Sequence, residues 1–183
     1  MAKDTLIILA PGFEEIEAVT VIDILRRARV EVTVAGLGAI EIKGSRGIVI
    51  KADKQLSEDD NYFCACILPG GGQGANNLAA SNIVKNILIT MNQAGKIIAA
   101  ICAAPAVVLS PLGLLDNKAA TCFPGMEDAF ERGTNFKAER VVVDGNMITS
   151  RAPGTALEFA LTLVEKLMGS QVKDKIAQDT LAR

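Results

Sequence analysis

Cys102 stands where its stretch of sequence changes character. In "KIIAAICAAPAVVL" (96–109) the residues before it suit a buried strand, and the Ala, Ala, Pro, Ala after it suit the first turn of a helix. A thiol on such an elbow is exposed at the top of a sheet. It also lies near a positive helix N-terminus, which favours thiolate and so a nucleophile. The small neighbours Ala99, Ala100, Ala103 and Ala104 leave room for a sharp turn and for an approaching substrate. The bland alternative, a buried structural cysteine, fits the same spacing.

Two further groups could serve that thiol. Gly70, Gly71 and Gly72 follow the strand-like "CACILP" and permit close backbone approach. With the N–H of Ala103, their N–H groups could form an oxyanion hole, although a plain turn explains the glycines as well. Glu14, Glu15 and Glu17 open a helical pattern. Glu14 and Glu15 read as dipole compensation on a solvated turn. Glu17 shares an otherwise apolar face with Val21, Ile24 and Ala28, so its carboxyl should be buried and need a partner. Burial and a nearby thiolate both raise a carboxyl pKa. A protonated Glu17 could then donate to Cys102 and carry protons.

Other chemistry is excluded by composition. The 183 residues contain no histidine, which removes Ser-His-Asp and Cys-His arrangements, imidazole bases and most zinc sites. Cys64 and Cys66 are spaced C-x-C on an apolar strand and read as core packing, not metal ligands. Cys122, in "TCFPGM", reads as buried, with a resolving thiol as the alternative. No GxxxxGK[ST] loop is present. Net charge is −2 with mixed signs, so neither a basic patch nor nucleic-acid binding is indicated. The apolar runs are too short for a membrane span or signal peptide. The expectation is a cytoplasmic protein with reduced thiols.

The elements that must position these residues follow from periodicity. Strand-like segments at 5–10, 30–36, 64–68 and 96–102 alternate with helical ones at 14–28, 81–95 and 154–169. The segment 41–53 reads as two short strands around a glycine turn, 140–150 as a hairpin with Asp-Gly at its tip, and 170–182 as a second, more polar C-terminal helix. Such alternation predicts a mostly parallel sheet with helices on both faces, in one domain spanning 1–183. Ligands in these folds bind beyond the carboxyl ends of the strands. The first helix carries Ile16, Val19, Val21, Ile22, Ile24 and Leu25, more apolar surface than one sheet face needs, which predicts a homodimer.

The combination "LAPGFEEIEAVTVIDILRRA", "SRGIVI", "ILPGGGQGANNL", "AAICAAPAVVL" and "TSRAPGTALEFAL" resembles the ThiJ/PfpI superfamily over essentially the whole chain. The resemblance is to the branch of the parkinsonism-associated protein deglycase and bacterial YajL. It implies a flavodoxin-like three-layer α/β sandwich with a nucleophile elbow, a homodimer and no cofactor or metal. The family's reactive cysteine matches Cys102, its thiol-contacting glutamate Glu17, and its oxyanion-hole glycine Gly71 beside the Ala103 N–H. Arg46 and Arg151 match arginines near the dimer-side wall of the pocket, and Pro153 lies in the same pocket motif. The family often has a histidine near the cysteine. Phe123 stands there in this chain, which puts a histidine-assisted mechanism out of reach.

The resemblance implies a cysteine enzyme, of glyoxalase or deglycase type, acting on small reactive dicarbonyls or on glycated protein. A redox sensor and stress chaperone working through Cys102 oxidation would use the same site. The thiazole-biosynthesis reading attached to older family names has no phosphate motif behind it.

Overall fold

The computed structural model describes residues 3–131 and 133–182. Its centre is a seven-stranded sheet in the order β10-β11-β7-β6-β1-β2-β5. The strands are β1 (Asp4–Leu9), β2 (Glu31–Gly36), β5 (Lys54–Gln55), β6 (Ala65–Leu68), β7 (Ile97–Ile101), β10 (Val141–Asp144) and β11 (Met147–Ser150). Every neighbouring pair is parallel except the β10–β11 edge hairpin, which turns at Gly145-Asn146, just after Asp144, with Gly145 at φ 60°. Two-stranded ribbons lie outside the sheet: antiparallel β3 (Glu41–Lys43) with β4 (Val49–Lys51), and parallel β8 (Ala119–Ala120) with β9 (Asn135–Phe136).

Helices cover both faces. On one lie α1 (Glu15–Arg27), α4 (Ala156–Met168) and α5 (Ser170–Asp179), on the other α2 (Gly72–Ala80) and α3 (Asn82–Gln93). The wholly apolar strand patterns follow from this double cover, with Leu6–Leu9, Ala65–Leu68 and Ile98–Ile101 all at 0% exposure. The architecture is the mostly parallel sheet covered on both faces that the alternation of elements predicts, and the flavodoxin-like α/β sandwich that the resemblance implies.

Two local readings need correction. The Gly-rich stretch is not all loop, because Gly72 opens α2. Its glycines and asparagines have low helix propensity, and packing of Ala75 and Leu78 into the core overrides it. After Cys102 the chain does not enter a long helix. It forms one wide turn with π-type bonding over Pro105–Leu109, followed by further turns. The dipole available to Cys102 is therefore that of a very short element.

Candidate active site

Three adjacent strands, β1, β6 and β7, end side by side and deliver the segments that build the site. At the end of β7, Cys102 takes φ 66°, a left-handed conformation that costs a non-glycine residue about 1–2 kcal/mol. Backbone bonds on both sides hold it there. Its N–H donates to the carbonyl of Ser150 (3.0 Å), and its carbonyl accepts the N–H of Phe123 (2.8 Å). Beneath this clamp the Ser150 and Thr155 hydroxyls meet at 2.7 Å.

Glu17 lies in the first turn of α1 and is completely buried. Its Oε2 accepts the Gly70 N–H at 2.8 Å, while Oε1, also buried, has no hydrogen-bond partner among the described residues. Gly70 is what lets carboxyl and thiol approach. A Cβ there would sit 2.5 Å from the Cys102 Cβ and 2.7 Å from Glu17 Oε2. Burial pushes the Glu17 carboxyl up to about 7, against the pull of the Gly70 N–H and the Cys102 thiol. Burial also pushes the Cys102 thiol up, next the charge on Glu17, to about 12 against N–H donation from Gly71 and Ala103 to the sulfur. The sequence-based expectation of a dipole-stabilised thiolate thus meets a deeper site than it assumed. Two acids face each other: the carboxylate opposes ionisation of the thiol, while the thiol, as a hydrogen-bond donor, favours the carboxylate.

Cys102 opens into a cavity of about 440 Å³. Gly71, Ala103, Arg46, Phe123 and Pro153 line it. Arg46 and Ser45 reach it because Glu15 pins the tip of the β3–β4 ribbon: its carboxylate accepts the Arg46 N–H (2.6 Å) and the Ser45 hydroxyl (3.0 Å). Burial would raise the Glu15 carboxyl, but these donors outweigh it and hold the pKa below the ordinary value. Glu15 is therefore a buried strut and not the solvated dipole residue its position suggested.

Two expected residues lie off the cavity. Glu17 stands behind Cys102, and Arg151 packs 5.9 Å over the Phe136 ring while donating to the Ala138 carbonyl (3.1 Å). Five lining residues were not among the expected site residues: Glu14, Ser45, Asn76, Val107 and Met126. Asn76 rides on the unanticipated α2. Glu14 is the N-cap of α1, its Oε2 accepting the Glu17 N–H at 2.8 Å. Among the other thiols, Cys66 and Cys122 are fully buried, and Cys64 donates to the Asp4 carbonyl at 2.7 Å.

The chain is an α/β sandwich with a mostly parallel sheet and a cysteine on the turn after a central strand. The chain belongs to the DJ-1/PfpI family, whose model matches residues 3–166. It is 44% identical over 178 residues to protein DJ-1 homolog B of Arabidopsis thaliana, covering 96% of this chain and 40% of that relative's length. It is 36% identical to glutathione-independent glyoxalase DJR-1.2 of Caenorhabditis elegans, over 92% of this chain and 91% of the relative. The structure of oxidized Toxoplasma gondii DJ-1 superposes with a TM-score of 0.94 at 40% identity, covering 98% of each chain.

Proposed function

We infer that this protein is a cofactor-independent glyoxalase or deglycase whose nucleophile is Cys102. The observation that carries the reading is the pairing of a cavity-facing thiol with a buried carboxyl whose pKa is pushed to about 7. At neutral pH that carboxyl is poised to accept or return a proton. The name of the C. elegans relative supports the substrate class of small 2-oxoaldehydes.

In this scheme the Cys102 sulfur attacks the aldehyde carbon as its proton passes to Glu17. The N–H groups of Gly71 and Ala103, already directed at sulfur, stabilise the oxyanion. Internal proton transfer converts the hemithioacetal to a thioester. Water cleaves the thioester to a 2-hydroxy acid, and sulfur recovers its proton from Glu17. One water is added overall, and no redox partner is needed. Phe123, 41% exposed at the cavity wall, supplies apolar surface where the family often has histidine. With a glycated protein, the same attack would release the amine or thiol. Arg151 supports the fold beside the pocket and does not touch substrate. The working form is a cytoplasmic homodimer.

The test is methylglyoxal consumption with lactate detection, comparing wild type and Cys102→Ser. Turnover by wild type and none by the variant is the expected result, and equal rates would refute the assignment. A second reading, oxidation sensing, draws on the oxidized T. gondii relative. Peroxide modification of Cys102 without any dicarbonyl turnover would favour it.

A further inference from the structure

The reading above needs a group that moves a proton between two substrate carbons, and Glu17 is poorly placed to be that group. It is fully buried and does not line the cavity. Its Oε2 is held by the Gly70 N–H, so its reach ends at the sulfur. A substrate bonded to Cys102 extends the other way, into the cavity. Among the described lining residues, Arg46 is a permanent cation, and Ser45 and Asn76 are not bases at neutral pH. One side chain there can accept a proton from carbon: Glu14.

Its position is fixed from two sides. The Glu14 N–H donates to the Gly70 carbonyl at 3.0 Å, and its Oε2 accepts the Glu17 N–H at 2.8 Å. The helix cap thus doubles as a holder that keeps a carboxylate at the cavity wall, next to the glycines that flank the sulfur. We propose that Glu14 is a second catalytic carboxylate, which carries the proton between the two carbons of the thiol-bound dicarbonyl while Glu17 serves the sulfur alone. This rests on the glyoxalase reading and divides its proton chemistry between two residues.

The step balances without a co-reactant. In the hemithioacetal, the Glu14 carboxylate takes the hydrogen of the former aldehyde carbon as a proton. The electron pair of that C–H bond forms the C=C bond of an enediolate, and the negative charge moves to the former ketone oxygen. Glu14 then returns the proton to the former ketone carbon. The hydroxyl on the sulfur-bearing carbon becomes the thioester carbonyl as its proton passes to the neighbouring alkoxide. Water hydrolyses the thioester as already described.

Glu14→Gln is the informative variant, because its amide oxygen can still cap α1. With methylglyoxal, kcat should fall by roughly 10²-fold or more. Cys102 alkylation by iodoacetamide should stay within about threefold of wild type, since burial, Glu17 and the Gly71 and Ala103 N–H groups set the thiol's acidity and the Glu14 charge reaches it only by raising the Glu17 carboxyl. Methylglyoxal deuterated at the aldehyde carbon should show a larger kinetic isotope effect in Glu14→Gln than in wild type, a signature that a purely structural cap would not give. Glu14→Asp keeps both cap and carboxylate and should recover part of the rate, which guards against a misfolded glutamine variant. Wild-type-like kcat in Glu14→Gln, a parallel loss of alkylation, or an unchanged isotope effect would each overturn the proposal. If wild type itself turns over no dicarbonyl, the functional reading falls and the proposal with it.

Discussion

Glu17 is an acid that the fold keeps from its ordinary ionisation, and that has a thermodynamic price. Its pKa rises from 4.5 to about 7 on folding, so the folded state binds a proton the unfolded chain releases. Stability from this group is fully present below pH 4.5 and is lost as pH rises through 7. The difference corresponds to about 3 kcal/mol. Glu17→Gln removes the dependence. Urea melts should show wild type losing stability relative to Glu17→Gln between pH 5 and 8, and parallel curves would contradict the assignment. The same variant deletes the charge that raises the thiol, so Cys102 should alkylate faster at pH 7. Burial raises all four thiols, and Cys64, the most exposed of them, is engaged with the Asp4 carbonyl, so reactivity should follow which sulfur faces a cavity. Limiting iodoacetamide with mass mapping should find Cys102 labelled first, as the thiol that lines the cavity.

At the level of elements, the carboxyl ends of β1, β6 and β7 decide the geometry. Gly70 separates Cys102 from Glu17 with nothing larger than hydrogen. In Gly70→Ala the new methyl would also meet the Ile101 carbonyl oxygen at 2.8 Å. The backbone must then shift, costing about 1–3 kcal/mol, and the thiol–carboxyl pair should separate. Turnover should drop far more than the melting temperature, and an alanine variant with full activity would show that the pair tolerates a wider spacing. The sequence made much of this legible. Double-sided burial leaves a wholly apolar mark on a strand, so β1, β6 and β7 could be read directly, and Glu17 betrayed itself by sharing a face with Val21 and Ile24. What could not be read was whatever depends on partners distant in sequence. Glu15 becomes a strut only because the ribbon tip at Ser45 and Arg46 docks onto it. Helix α2 exists despite its glycines because the core accepts Ala75 and Leu78. The depth of Cys102, which reverses the expected sign of its pKa shift, is likewise a tertiary property.

At the scale of the whole molecule, several of the exposed apolar side chains among the described residues lie on α1 and the β3–β4 ribbon. Ile16 (55% exposed) and Val19 (47%) project from α1, and Ile48 (57%) and Val49 (55%) from the β3–β4 ribbon. Val19 and Ile50 share a groove between the two elements. A patch of this kind fits self-association. Light scattering at micromolar concentration should give twice the chain mass, and Val19→Arg should shift it toward one chain. A wild-type monomer would refute the dimer.

The side-by-side endings of β1, β6 and β7 also bear on how the protein refolds. Residues 17, 71 and 102 come from separate stretches of chain, and parallel pairing must close the long connections between them before they meet. Helices form quickly from local contacts, whereas such closures are slow. After dilution from denaturant, far-ultraviolet ellipticity should return first. The loss of free iodoacetamide access at Cys66, in the middle strand, should come later, together with recovery of the thiol–carboxyl coupling. Simultaneous recovery of all three signals would mean that the sheet registers as fast as its helices form.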